Sequence, residues 1–187
     1  MAYRSPRGAV GKRVAALAVL VAVLAGCAES LHDVAARGDL DAVRALLEKD
    51  PGWLNRPDDR GKSPLFHAVT NNRVEIVAFL LEQGADPRFA DSTGLTPLHI
   101  AVWHGRAEPA KLLVERGADI QARDVFGDTP LHTAAMHGRV DMIRWLLSVG
   151  ADPAVTNDEG LTPAALARRH RQAEAAELLE ALTREDP

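Results

Sequence analysis

An all-α solenoid is the fold class this sequence predicts, and three observations predict it. Gly61, Gly94, Gly127 and Gly160 recur at one constant interval; Pro64, Pro97, Pro130 and Pro163 recur at the same interval; so do Gly84, Gly117 and Gly150, each of which opens Gly-Ala-Asp. Three landmarks sharing one period of about 33 residues mark a stack of similar units, each too small to bury its own apolar face.

The local chemistry of a unit predicts two helices and a β-turn. Ser63-Pro64, Thr96-Pro97, Thr129-Pro130 and Thr162-Pro163 place a hydroxyl at an N-cap and proline at the first helical position. A short helix follows, for example Pro97 to His104, and Gly105 ends it in a left-handed conformation. Gly138 has that role one unit later, Asn72 one unit earlier, and Arg171 replaces the glycine in the last. A second helix runs from about Val74 to Glu82, with Ile76, Val77, Phe79, Leu80 and Leu81 at helical spacing. Its counterparts carry Leu112 and Leu113, then Met142, Ile143, Trp145, Leu146 and Leu147, then Leu178 and Leu179. Pro109 falls early in one of these helices and predicts a slightly displaced start there. Gly-Ala-Asp closes the second helix, and a turn-forming stretch leads to the next glycine.

Asp91-Ser-Thr-Gly-Leu-Thr-Pro-Leu-His-Ile-Ala-Val and Asp124-Val-Phe-Gly-Asp-Thr-Pro-Leu-His-Thr-Ala-Ala resemble ankyrin repeats. The resemblance covers roughly residues 30–184 and implies about five units: an N-terminal cap over 30–57, units over 58–90, 91–123 and 124–156, and a C-terminal cap over 157–187. Both ends depart from the motif. The first unit lacks Thr-Pro-Leu-His, and its Asp50-Pro-Gly-Trp-Leu-Asn55 linker is about one residue longer than the Gly-Ala-Asp version. The last has Ala164-Ala165 for Leu-His, and Glu174, Glu177 and Glu180 on its final helix. Phe66-His67 shifts the motif histidine by one place, which removes the family's hydrogen bond from that unit.

The first residues read as an address. Arg4, Arg7, Lys12 and Arg13 precede the apolar run Val14–Ala25, which is shorter than the roughly 20 residues a spanning helix needs. Leu24-Ala25-Gly26-Cys27 resembles the lipobox of bacterial lipoproteins. The resemblance implies cleavage of a leader over 1–26, acylation of Cys27, and a short tether over 27–29. An ordinary secretory leader that contains a cysteine is the alternative. Ala28 after the cysteine favours the outer over the inner membrane, with the chain facing the periplasm.

Composition excludes other classes. One cysteine excludes a disulfide framework and multi-cysteine metal sites. The formal charge of -4 conceals an asymmetry: without the four leader cations, 18 bases stand against 26 acids, a net of -8, which argues against nucleic acid. Gly61-Lys62-Ser63 resembles the end of a phosphate-binding loop, but Arg56 occupies the position of its first glycine and Ser63 is already a helix cap. No other catalytic motif is present, and neither a cofactor nor an enzymatic activity is expected. Asp58-Asp59 and Asp158-Glu159 sit at turn tips and read as solvated carboxylates.

Among the histidines, His99 and His132 belong to Thr-Pro-Leu-His, and the resemblance implies hydrogen bonds between neighbouring units. His104, His137 and His170 also recur with the period of the repeat, as a ladder along one face. Helices spaced about 8–10 Å apart hold such side chains too widely for three to share one zinc without distortion. Coincidence of the repeat is the plain reading, and a metal-binding, enzymatic or pH-sensing ladder the alternative.

The resemblance places binding on the turn tips and the exposed side of each first helix. Leu95, Trp103, Val125, Phe126 and Met136 are apolar at sites where packing does not require it. With Arg60, Lys62, Asp128 and Glu159 as a charged rim, and His104 and His137 beside them, they are expected to form a protein-binding face anchored by Trp103 and Phe126. The expectation is a monomeric, lipid-anchored, non-catalytic binding module in the bacterial envelope with a periplasmic protein partner. An immunity protein that neutralises an envelope-targeted toxin is a narrower version.

Overall fold

The computed structural model describes residues 29–184; the leader over 1–26 and the lipidation candidate Cys27 lie outside the described residues. Five helix pairs follow one another: α1 (Leu31–Arg37) and α2 (Leu40–Lys49), α3 (Pro64–Thr70) and α4 (Val74–Glu82), α5 (Pro97–Trp103) and α6 (Ala107–Glu115), α7 (Pro130–Met136) and α8 (Val140–Ser148), α9 (Pro163–Arg169) and α10 (Ala173–Arg184). A 3₁₀ turn over Pro51–Trp53 follows α2. No strand occurs among the described residues.

The first helices of successive pairs stack in an inner row, and the second helices lean against them as an outer row. Composition sets these roles. Inner helices are short and apolar nearly all round, so they are buried on most sides: Leu98, Ile100, Ala101 and Val102 of α5 are all in the core. Outer helices are amphipathic. Met142, Ile143 and Leu146 of α8 are buried while Asp141 and Arg144 are exposed. Phe79 is buried, and Trp145 is half-buried against the core, as second-helix positions require.

Each inner helix starts at a hydroxyl cap. The oxygens of Ser63, Thr96 and Thr162 accept from the amide three residues on, and proline at the first position needs no acceptor. Gly105 (φ 65°) and Gly138 (φ 60°) end the pairs' first helices in the left-handed region; Asn72 (φ 55°) and Arg171 (φ 61°) adopt it without being glycine. The long first linker is present, and the turn between α1 and α2 offsets it. Leu31 to Leu40 is one position shorter than Pro64 to Val74, so α1 and α3 still begin one full period apart. Pro109 does not displace its helix, contrary to expectation. Ala107 lies one period after Val74 and one before Val140, because the third amide of a helix lacks an intrahelical acceptor in any case.

Two buried histidines tie one pair to the next. His99 Nε2 donates to the Asp128 carbonyl at 3.1 Å, and His132 Nε2 to the Leu161 carbonyl at 3.0 Å. That fixes the tautomer and leaves Nδ1 to accept from the Thr96 and Thr129 amides, each at 3.2 Å. A protonated ring could not accept those bonds. Burial, the larger effect, pushes both imidazoles below their ordinary value of 6.5 despite the carbonyls they meet. In the second pair Phe66 takes this position, buried, and the bond is absent as predicted.

Stability therefore depends on pH with a definite sign. The unfolded imidazoles take up protons near 6.5 while the folded ones resist, so this contribution is full above about pH 6.5 and is lost as pH falls below it. Urea midpoints measured from pH 7 to pH 5 should show the decline. His99→Phe, which copies the arrangement at Phe66, should lower stability by about 1–3 kcal/mol at pH 7 and flatten the decline, since it leaves the Asp128 carbonyl without its donor but removes a titrating group.

Candidate protein-binding face

The turn tips are built by a side chain whose spacing the sequence reading overlooked. Asp58, Asp91, Asp124 and Asn157 recur once per repeat, at the period of the glycines and prolines. In each, Oδ1 accepts from two backbone amides of its own tip: those of Arg60 and Lys62 (2.9 and 2.8 Å), Thr93 and Leu95 (2.9 and 3.2 Å), Phe126 and Asp128 (2.8 and 2.9 Å), Glu159 and Leu161 (3.1 and 3.0 Å). This is the side-chain mimicry of a turn that Asp and Asn perform best. Neighbouring tips are joined by backbone bonds: Ser92 N–H to the Arg60 carbonyl, Val125 N–H to Thr93, Asp158 N–H to Phe126, at 3.0–3.2 Å. Gly94 makes the approach possible, since a Cβ there would lie 2.9 Å from Asp124 Cα and φ is +78°.

With the backbone so held, Val125 and Phe126 project outward and are 57% and 65% exposed. Trp103 is 39% exposed, at the C-terminal end of α5, about 10 Å along that helix from its tip. Its indole stacks on His104 (centroids 5.7 Å, planes 8° apart) and meets His137 at 5.0 Å. The His137 Nδ1 donates to the Thr133 carbonyl at 3.0 Å. Burial, then the neighbouring Arg106, Arg139 and His137, hold the His104 imidazole below its ordinary value. Arg60 is exposed, and Lys62 is half-buried with Nζ 4.9 Å above the Phe66 ring.

Three expected members of the face are placed otherwise. Asp128 is 6% exposed and not a rim charge; its Oδ1 accepts from Asn157 Nδ2 at 2.7 Å, and its carbonyl receives His99. Leu95 is packed against the core, and Met136 is half-buried. The apolar residues therefore form two exposed points, Val125 with Phe126 on a tip and Trp103 on the inner helices, rather than one patch of five. The histidine ladder does not converge either. His104 and His137 each meet the Trp103 ring, and no group of three metal-ligating side chains gathers among the described residues.

Asp58 is not the solvated carboxylate its place at a tip suggests. It is half-buried, and Oδ2 accepts from His67 Nε2 at 2.8 Å. Burial raises its pKa, but the Lys62 amide, His67 and the Arg60 amide together outweigh it and bring the carboxyl to about 2. Asp158 and Glu159 are exposed, each paired with an arginine, Arg123 (3.1 Å) and Arg169. Because the folded Asp58 value lies below the unfolded 3.8, its contribution is complete above about pH 4 and is lost as pH falls toward 2. Asp58→Asn, which the chain itself uses at Asn157, should keep the tip closed. Thermal unfolding at pH 5 and pH 2.5 should show a smaller acid-induced loss in the variant than in the unaltered protein.

Comparison with known proteins agrees with this geometry. The family model "Ankyrin repeats (3 copies)" matches residues 31–124, and "Ankyrin repeats (many copies)" matches 107–147 and 132–180. Human "DNA-binding protein RFXANK" is 47% identical over 58 residues, 31% of this chain and 22% of that protein. Human "NAD-capped RNA hydrolase NUDT12" is 40% identical over 55 residues (29% and 12%), and human "Ankyrin repeat family A protein 2" 34% over 59 (32% and 18%). The chain thus spans a quarter or less of the length of these relatives, and what it shares with them is the repeat. Period, paired helices, buried bridging histidines and bonded turn tips together place this chain in the ankyrin-repeat family, whose members are generally non-catalytic protein-interaction modules.

Proposed function

We propose that this ankyrin-repeat protein is a lipid-anchored binding module of the bacterial cell envelope that holds a periplasmic protein on its inner face. The observation that carries the reading is the exposure of Val125 and Phe126 on a tip whose amides from Asp124 to Asp128 are all hydrogen-bonded. Apolar side chains held outward on a rigid support suit association, because little conformational freedom is left to lose on binding. Trp103, Arg60 and Lys62 complete the face; Asp128 and Leu95 belong to the scaffold. The cationic flank, the short apolar run and Leu24-Ala25-Gly26-Cys27 support anchoring through Cys27, with the outer membrane favoured. Among the described residues no helix is long and apolar enough to cross a membrane. A tether would confine the face to a layer near the bilayer and raise its effective concentration toward membrane-near partners.

Two measurements test this. Crosslinking in intact cells should capture a protein partner, and Phe126→Ala with Trp103→Ala should weaken its binding at least about tenfold while the unfolding temperature stays within a few degrees. Unchanged affinity in a folded double variant would remove the face. Metabolic labelling with an alkynyl fatty acid should mark the unaltered protein and not Cys27→Ser, which should leave the membrane fraction.

A further inference from the structure

Successive units are tied to one another at two ends. At the tip end, where inner helices begin and outer helices finish, backbone bonds run from tip to tip. At the far end, where an inner helix turns into its outer partner, an arginine crosses to the unit before. Arg73 Nε donates to the Ala36 carbonyl and Arg139 Nε to the Trp103 carbonyl, both at 2.9 Å. Each of these side chains runs over a glycine. A Cβ at Gly38 would lie 2.9 Å from Arg73 Cδ, and one at Gly105 would lie 4.0 Å from Arg139 Cδ. In the last unit Gln172 has the arginine's place, and a Cβ at Gly138 would collide with its Oε1.

One junction departs from this plan, between the units over 58–90 and 91–123. The crossing arginine there is Arg106, and beneath it stands Asn72 in the same left-handed conformation as the glycines. Its Cβ is real, and it stands in the path that the other arginines follow. Arg106 Nε is left buried without a hydrogen-bond partner. The imidazole bridge is missing at the same junction, because Phe66 holds the position from which His99 and His132 reach the next unit. Among the described residues, the polar links left between these two units lie at the tip end. Ser92 N–H donates to the Arg60 carbonyl at 3.2 Å, Arg88 Nε to the Gly117 carbonyl at 2.8 Å, and Arg116 meets Glu82 at 4.0 Å. Buried apolar side chains of α3 and α5 hold the units together, but that attraction has no direction, whereas a hydrogen bond fixes an angle.

We infer that the solenoid has a hinge at this junction. Residues 30–90 tilt against residues 91–184 by parting at the far ends of α3 and α5, and the tip-end bonds are the pivot. The hinge divides the proposed binding face. Arg60 and Lys62 lie on one body, and Trp103, Val125 and Phe126 on the other, so a partner that touches both sets fixes the angle between them.

Paired nitroxide labels, read by double electron–electron resonance, test this in the full chain carrying Cys27→Ser. Asn71→Cys with His137→Cys spans the hinge. His104→Cys with His170→Cys, in the same register one unit on, spans only junctions that have an imidazole bridge. The first distance distribution should be at least about 1.5-fold broader than the second. Asn72→Gly clears the path from Arg106 to the Thr70 carbonyl, and should narrow the first distribution to the width of the second while leaving the second unchanged. A first distribution no broader than the second, or one that Asn72→Gly does not narrow, would overturn the hinge and leave the binding face standing.

Discussion

A buried imidazole that donates to a carbonyl of the following repeat governs the spacing of this molecule. His99 and His132 each do this while accepting from the cap of their own helix, so one ring joins an inner helix, its N-cap and the next turn tip. The donor to the carbonyl must be Nε2, and Nδ1 must stay bare, which makes the link specific in geometry and intolerant of protonation. In α3 and α9 the ring is replaced by an apolar side chain, Phe66 near one end and Ala165 near the other, after Thr162, and in α1 by Asp33. Links of this kind are therefore concentrated in the middle of the stack, where a repeat has neighbours on both sides.

From that spacing the tips inherit their register. Side-chain oxygens at four equivalent positions close the turns, and backbone bonds run from tip to tip. Asp58 and Asp128 illustrate how far polar groups at a tip can be drawn into this scaffold, the first by two amides and an imidazole, the second by Asn157. The side chains left over, Val125, Phe126, Arg60 and Trp103, are those the scaffold does not consume. In the function proposed above, that division between bonded and unconsumed groups is what makes the inner face the binding surface.

Charge follows the same division. Outer helices take acids at their N-terminal turns for reasons internal to the helix; the inner helices α3, α5, α7 and α9, packed on most sides, carry none, and only α1, at the end of the stack, has one, the exposed Asp33.

How much of this the sequence alone determined follows from which interactions are local. The repeat period was legible, and so were the hydroxyl–proline starts, the left-handed stop at Asn72 and the missing bridge at Phe66, which are set by residues within a few positions of one another; the left-handed conformation of Arg171 was not. The displaced start anticipated at Pro109 was not found, because the first turn of a helix leaves that amide free whichever residue holds it. Which polar groups are consumed was decided only by the tertiary structure. Asp128 is buried by Asn157 and His99, both distant in the chain; Leu95 leans on the core; Trp103 lies between two histidines from successive repeats. Residues that look alike along the chain differ in the solenoid because stacking brings a different neighbour to each, and burial depends on that neighbour.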